Sequence, residues 1–192
     1  LDYDIADKLG EIFVKGEMSF SKDLIGGEIF LDCNSGRLVL DGSLVSDGCY
    51  SLSVNGRDLK LNTLTGVDGL KGCNLAVNAS GNFKDAENYA SISGRVANLV
   101  YNGYSYAPIG FEGKCTASAI TGKISADDPN VKMQLTARYN IDDEKMLKIK
   151  LDAEDFVPAD LKLIKTDKRQ ELAFGLNGEI FDYGDGKTIV NA

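Results

Sequence analysis

An all-β fold, one long curved antiparallel sheet built from two similar halves with short crossing segments and an apolar lumen, is what this sequence predicts. Three observations carry that expectation. Apolar and polar residues alternate in run after run, the period of strands that turn one face to a core. The runs are bounded by Asn, Asp, Gly and Pro turn residues, and no long amphipathic helix interrupts them. The pattern of the first half then returns in the second.

The clearest stretch lies between Ile109 and Tyr139. Ile109, Phe111, Gly113 and Cys115 take one side of an alternating run, and Ile120, Gly122, Ile124 and Ala126 do the same after a polar break. The turn Asp127-Asp128-Pro129-Asn130 follows, and then Val131, Met133, Leu135, Ala137 and Tyr139 alternate with Lys132, Gln134, Thr136 and Arg138. Pro129 cannot donate to a ladder and Asp and Asn favour turns, so this is a three-stranded meander.

Upstream, Leu1 to Gly10 shows no period and reads as the frayed end of an earlier element. Strands follow through Ile12 to Phe20, Ile29 to Cys33, Leu38 to Leu44 and Tyr50 to Val54, with turns at Asn34-Ser35-Gly36 and Asp47-Gly48. Between Arg57 and Gly72 the leucines lose their alternation, which predicts a crossing over the end of the sheet with one helical turn. Leu75 to Phe83 and Ala90 to Val96 resume as strands, and Tyr101, Tyr104 and Tyr106 form a tyrosine cluster before Pro108. Beyond Tyr139, Asp142 to Lys145 reads as a turn, Leu147 to Leu151 as a strand and Phe156 to Ile164 as a second crossing. Leu172 to Ile180 is the last good strand, and Asp182 to Gly186 a closing turn.

Offset by 97, the chain resembles itself. Ile12, Val14, Gly16 and Met18 become Ile109, Phe111, Gly113 and Cys115, and Leu52, Val54, Asp58 and Leu59 become Ile149, Leu151, Asp155 and Phe156. Leu75, Val77, Ala79 and Gly81 likewise become Leu172, Phe174, Leu176 and Gly178. Approximate repeats over 11–83 and 108–180, with no linker between them, predict one continuous β-groove segment over 1–192.

Composition narrows the function. The chain of 192 residues is 43% hydrophobic and 26% charged, as a globular domain is, and its net charge of −8 speaks against nucleic acid as a partner. It has no histidine, the commonest general base and metal ligand, which excludes serine–histidine catalysis and histidine-based zinc sites. No apolar run approaches the ~20 residues of a membrane-spanning helix. No signal-peptide pattern is present and the chain begins at Leu1, so it is expected to be a fragment of a longer protein. The four cysteines, Cys33, Cys49, Cys73 and Cys115, have no CxxC spacing. Cys33 and Cys115 read as small buried hydrophobes, and a Cys49–Cys73 disulfide is the lesser alternative.

Few residues offer chemistry. Asp127-Asp128 could hold a metal, but adjacent strand residues point to opposite faces and the hairpin already explains the pair. Asp182 to Lys187 lacks the spacing and terminal Glu of a calcium loop. The glycines do not form a phosphate loop. The tyrosines could stack on a carbohydrate, and more simply cover the end of a core. No catalytic residue, metal or cofactor is expected, and the protein is expected not to be an enzyme.

What remains is one-sided apolar surface with no helix to cover it. A sheet needs a second layer, and each exposed Leu, Ile or Phe forgoes ~1.5–3 kcal/mol. The solutions are a sealed sandwich, a closed barrel, or a sheet bent into a trough that takes apolar ligand. Gly16, Gly81, Gly94, Gly113, Gly122 and Gly178 fall on the apolar face, where missing side chains leave room and permit bending; they favour the trough.

The stretches ANLVYNGYSYAPIGFEGK, GKISADDPNVKMQL and LDAEDFVPADLKLI, within Tyr50 to Ile164, resemble the TamB-like (AsmA-like) proteins of Bacteroidetes, the translocation and assembly module family. The resemblance implies a β-taco groove and an internal periplasmic segment of a protein anchored in the inner membrane by an N-terminal helix absent here. Function would be the shielding of phospholipid acyl chains in transport between the two membranes, or assistance to outer-membrane protein assembly with an outer-membrane barrel partner. The groove lining it implies is Ile109, Phe111, Ile120, Ile124, Val131, Met133, Leu135, Ile149, Leu151, Leu172, Phe174 and Leu176. The family's C-terminal docking domain is not recognisable in this chain. Exposed sheet edges make self-association a further expectation.

Overall fold

The computed structural model describes residues 9–141, 145–166, 168–182 and 188–191. Its strands are β1 (Phe13–Phe20), β2 (Leu24–Cys33), β3 (Gly36–Val45), β4 (Cys49–Leu59), β5 (Cys73–Asn82), β6 (Ala90–Ala97), β7 (Val100–Tyr101), β8 (Tyr104–Ser105), β9 (Ile109–Cys115), β10 (Ala119–Asp128), β11 (Val131–Asn140), β12 (Lys145–Phe156), β13 (Leu172–Asp182) and β14 (Thr188–Asn191). Twelve of them make one antiparallel sheet in chain order, β1 to β6 and then β9 to β14, while β7 and β8 pair apart from it. Among the described residues β1 pairs only with β2 and β14 only with β13, so the sheet is open and does not close into a barrel. Twelve strands at ~4.8 Å spacing give a stack roughly 50 Å long.

Local chemistry sets the turns. Pro129 and Asn130 make the two-residue link closed by the Asp128–Val131 pair, so the meander over β9, β10 and β11 forms as its alternation requires. At Asp47-Gly48 the Asp47 carboxylate accepts the Cys49 amide at 2.9 Å while Gly48 takes φ +97°, a conformation that suits glycine. The first crossing contains one helical turn, α1 (Leu61–Thr65), stopped by Gly66 at φ 72°. The predicted turns at Asp142–Lys145 and Asp182–Gly186, apart from Lys145 and Asp182 themselves, and nearly all of the aperiodic start fall outside the described residues.

The tyrosine cluster folds as the β7–β8 hairpin, turned by Asn102 (φ 48°) and Gly103 (φ 81°), and β6 pairs directly with β9 behind it. Two expectations need correction. Cys33 and Cys115 are half-buried rather than buried, and the lesser alternative, a Cys49–Cys73 disulfide, does not form. All four thiols are free, and β4 pairs Cys49 with Asn82 at one end while Leu59 meets Cys73 at the other. The glycines of the apolar face do not all leave room either. A side chain at Gly94 would run into the Phe111 ring and one at Gly81 into Tyr50, so aromatic neighbours already occupy those gaps.

The two crossings share a local form. A register irregularity lies between Gly56 and Leu59 in the β4/β5 pair and between Ala153 and Phe156 in the β12/β13 pair, 97 positions on. Each is followed by a segment lying along the same margin of the sheet. There the β7–β8 hairpin ties both crossings together: the Lys71 amide donates to the Val100 carbonyl at 2.9 Å, and the Tyr106 hydroxyl donates to the Leu161 carbonyl at 2.7 Å. Leu59, Cys73, Ala153, Val157 and Leu161, each under 9% exposed, are packed at this margin. It is the nearest thing to a core.

Elsewhere the molecule is a single layer. Its accessible surface is 12800 Å², against roughly 8,900 Å² for a compact monomer of its mass. A self-packed sandwich would have removed that excess.

Candidate functional site

Register converts the alternation into rows, because residues paired across antiparallel strands share a face. One row reads Gly16, Ile29, Leu40, Val54, Val77, Gly94, Phe111, Ile124, Leu135, Leu151 and Leu176, from β1 through β13. It contains no polar side chain. The row beside it, Val14, Leu31, Leu38, Gly56, Leu75, Val96, Ile109, Ala126, Met133, Ala153 and Phe174, is equally apolar. On the other side a third runs through Met18, Leu52, Ile92, Ala137 and Ile149, with glycines at several of its remaining positions. The result is an uninterrupted apolar face eleven strands long.

All twelve residues predicted as lining fall on this face. Phe111, Ile124, Leu135, Leu151 and Leu176 stand in the first row, Ile109, Met133 and Phe174 in the second and Ile149 in the third. Ile120 lies farther out, next to Tyr139, while Val131 and Leu172 lie at the covered margin. None of them is buried. Ile120 is 48% exposed and Leu176 49%, although they belong to the apolar face of a folded sheet. The sequence reading missed the equal share of the first half, Ile29, Leu40, Val54 and Val77 above all. Period-two alternation says which side a residue takes but not which strands become neighbours; the 97-residue similarity was the signal that could have found them.

One margin of the face carries a raised border. Asp128 continues the alternation of Ile124 and Ala126, yet it is only 2% exposed. Its carboxylate accepts hydrogen bonds from the Tyr104 hydroxyl, from the Ala107 amide at 2.7 Å and from the Asn130 amide at 3.0 Å. Burial alone would raise its pKa, but these three donors outweigh it and hold the carboxyl below the ordinary value. Tyr104, desolvated and facing that carboxylate, is pushed above the ordinary phenol value. Asp128 is thus a structural latch, and the described residues contain no cluster of ligands able to hold a metal ion. Tyr104 and Tyr106 meet edge to face at 4.8 Å and cover the end of the packed margin.

The opposite face is hydrophilic and bears the depressions. One of them, about 870 Å³, crosses β6 and β9 to β13, walled by Lys114, Lys123, Arg138, Lys148 and Lys150 together with Glu112 and Glu179, with Gly113, Gly122 and Gly178 between them. Long charged side chains standing around short ones make these hollows; the apolar face owes its accessibility to lying bare. Clustered cations were not legible in a sequence of net charge −8, because these five are separated along the chain and only the register gathers them. Comparison with known proteins finds no family model, no curated protein and no solved structure that matches this chain.

Proposed function

We propose that this chain is a non-enzymatic lipid-shielding segment of a TamB/AsmA-like envelope protein, its apolar face covering phospholipid acyl chains on their way between two membranes in the periplasm. The observation that carries the reading is the row from Ile29 to Leu176, apolar on every strand and open along its length. Apolar patches of this extent on a folded chain mark a surface meant to be covered. An acyl chain suits it, because each buried methylene contributes ~0.8 kcal/mol and asks for no polar partner. The border of crossings and tyrosines bounds the face on one side and leaves the other margin, with Phe20 at 70% and Ile25 at 43% exposure, free for entry. The motif resemblance to the TamB-like proteins supports the same reading.

The test is native mass spectrometry with organic extraction of the chain produced in a bacterial periplasm. Copurified phospholipid that disappears in Leu135→Asp is the expected result. A chain that stays lipid-free, also when offered labelled fatty acid, overturns the reading.

A second reading rests on β1. Every one of its eight residues is exposed and its outer edge is unpaired among the described residues, so it could add a strand of an outer-membrane client. Met18→Pro would block that pairing and leave lipid copurification unchanged: the Ser21 amide donates to the Leu24 carbonyl, so alternate amides, that of Met18 included, face the free edge.

A further inference from the structure

We propose that the hydrophilic face carries a second binding site, for an anionic polysaccharide laid across the strands of the second half. Two adjacent rows form it. Lys114, Thr121, Arg138 and Lys148 are successive partners from β9 to β12, and beside them Lys123, Thr136 and Lys150 are successive partners from β10 to β12. Each of these four strands therefore presents at least one cation, and the hollow of about 870 Å³ runs between them.

Three of the five cations make no ion pair among the described residues, and the other two are paired in the open. Lys148 meets Glu179 at 2.9 Å and Lys150 meets Asp152 at 2.7 Å, both exposed pairs that solvent weakens. Lys114 and Lys123 have no ion pair among the described residues, and Arg138 donates only its Nε, to the Asn140 side chain at 3.0 Å. Arg138 and Lys148 stand directly opposite each other, a like-charge arrangement relieved on one side by Glu179, the next residue of the row. Such a concentration in a chain of net charge −8 is local.

The remaining lining bears on the class of anion. Two acids, Glu112 and Glu179, share the hollow, so cations outnumber acids five to two, and Ser91, Ser93, Thr121 and Thr136 put hydroxyls among them. These suit the hydroxyls of a sugar chain, with the lysines and Arg138 taking its carboxylate or phosphate groups. Direction follows from the other half of the same face. There Glu17, Glu28 and Asp41 are successive partners on β1 to β3, an acidic stripe that disfavours an anionic chain, although Arg37 and Arg57 stand opposite each other beside it. The site stands on the face opposite the lipid-shielding surface and does not depend on that reading.

Titration of the full chain with polygalacturonate oligomers at low salt, followed by calorimetry, tests the proposal. Expected is saturable binding that weakens as salt rises, is absent for neutral dextran, and falls roughly tenfold or more in Lys123→Ala/Arg138→Ala. The control Lys15→Ala, on β1 of the acidic half, is expected to bind as the parent does. Thermal melts of all three chains should coincide, since Arg138 is exposed and Lys123 only half-buried. Absence of saturable binding overturns the proposal, as does equal binding of dextran, or a loss in Lys15→Ala as large as in the double variant.

Discussion

Asp58 and Asp155 adopt the same left-handed backbone, φ 52° in each, at corresponding places within the two sheet irregularities 97 positions apart. Left-handed backbone is costly for a residue with a Cβ, least so for Asp and Asn, and glycine occupies it freely. The coincidence is what a duplicated unit would leave. Each aspartate directly precedes the residue at which strand pairing resumes, Leu59 in one crossing and Phe156 in the other. Asp58→Gly should therefore leave stability within about 0.5 kcal/mol, while the β-branched Asp58→Val should cost about 1–3 kcal/mol. Urea denaturation of the two variants measures both; equal midpoints would show that the backbone there is not constrained.

If the apolar row acts as one surface, a charge placed in its first half must matter as much as one in its second. Val54 and Leu151 hold equivalent places in the row, each flanked by apolar partners on both sides. Val54→Asp is expected to weaken displacement of a labelled fatty acid roughly tenfold or more, the scale of a lost buried aliphatic side chain. Leu135→Asp should do the same. An effect from Leu135 alone would divide the face into independent halves.

The strands were legible because alternation is a local signal, and Ile109 to Tyr139 shows it in three runs divided by short polar turns. Which strands touch is a property of the register, so Ile29 and Val77 entered the candidate face only with the structure, and Lys123 and Arg138 became neighbours of a common hollow in the same way. The β7–β8 hairpin was not singled out although Asn102-Gly103 is a strong turn signal, since Tyr101, Tyr104 and Tyr106 drew the reading to a cluster rather than to the turn within it. The glycines misled for a different reason: a missing side chain is visible in a sequence, but the Phe111 ring that fills the place of one at Gly94 is not.

The latch at Asp128 predicts a pH dependence with a definite sign. Its pKa is lowered in the folded chain, so the stability it contributes is present above the ordinary carboxylate value and is lost as pH falls through the folded value. Asp128→Asn should weaken the protein at neutral pH and flatten the acid limb of a plot of unfolding free energy against pH below about 4. Tyr104→Phe removes a hydrogen bond to a charged, buried acceptor and should cost about 1.5–3 kcal/mol at neutral pH. An acid limb unchanged in Asp128→Asn would place the titrating group elsewhere.

The thiols separate by environment rather than by pairing. Cys49 is exposed, but its hydrogen bond with the Asp47 carboxylate and the charge of that carboxylate disfavour the thiolate and raise its pKa. Cys73 is buried at the packed margin, and desolvation raises its pKa as well. Because the thiolate is the reactive form, Cys49 should react with iodoacetamide more slowly at pH 8 than its exposure alone suggests, and Asp47→Asn should speed it several-fold. Cys73 should label only when the margin opens, at a rate that rises with urea. Peptide mapping of alkylated protein resolves the two sites. Fast labelling of Cys73 in the native chain would mean that the border of crossings opens readily, and the apolar face would then be accessible from both margins.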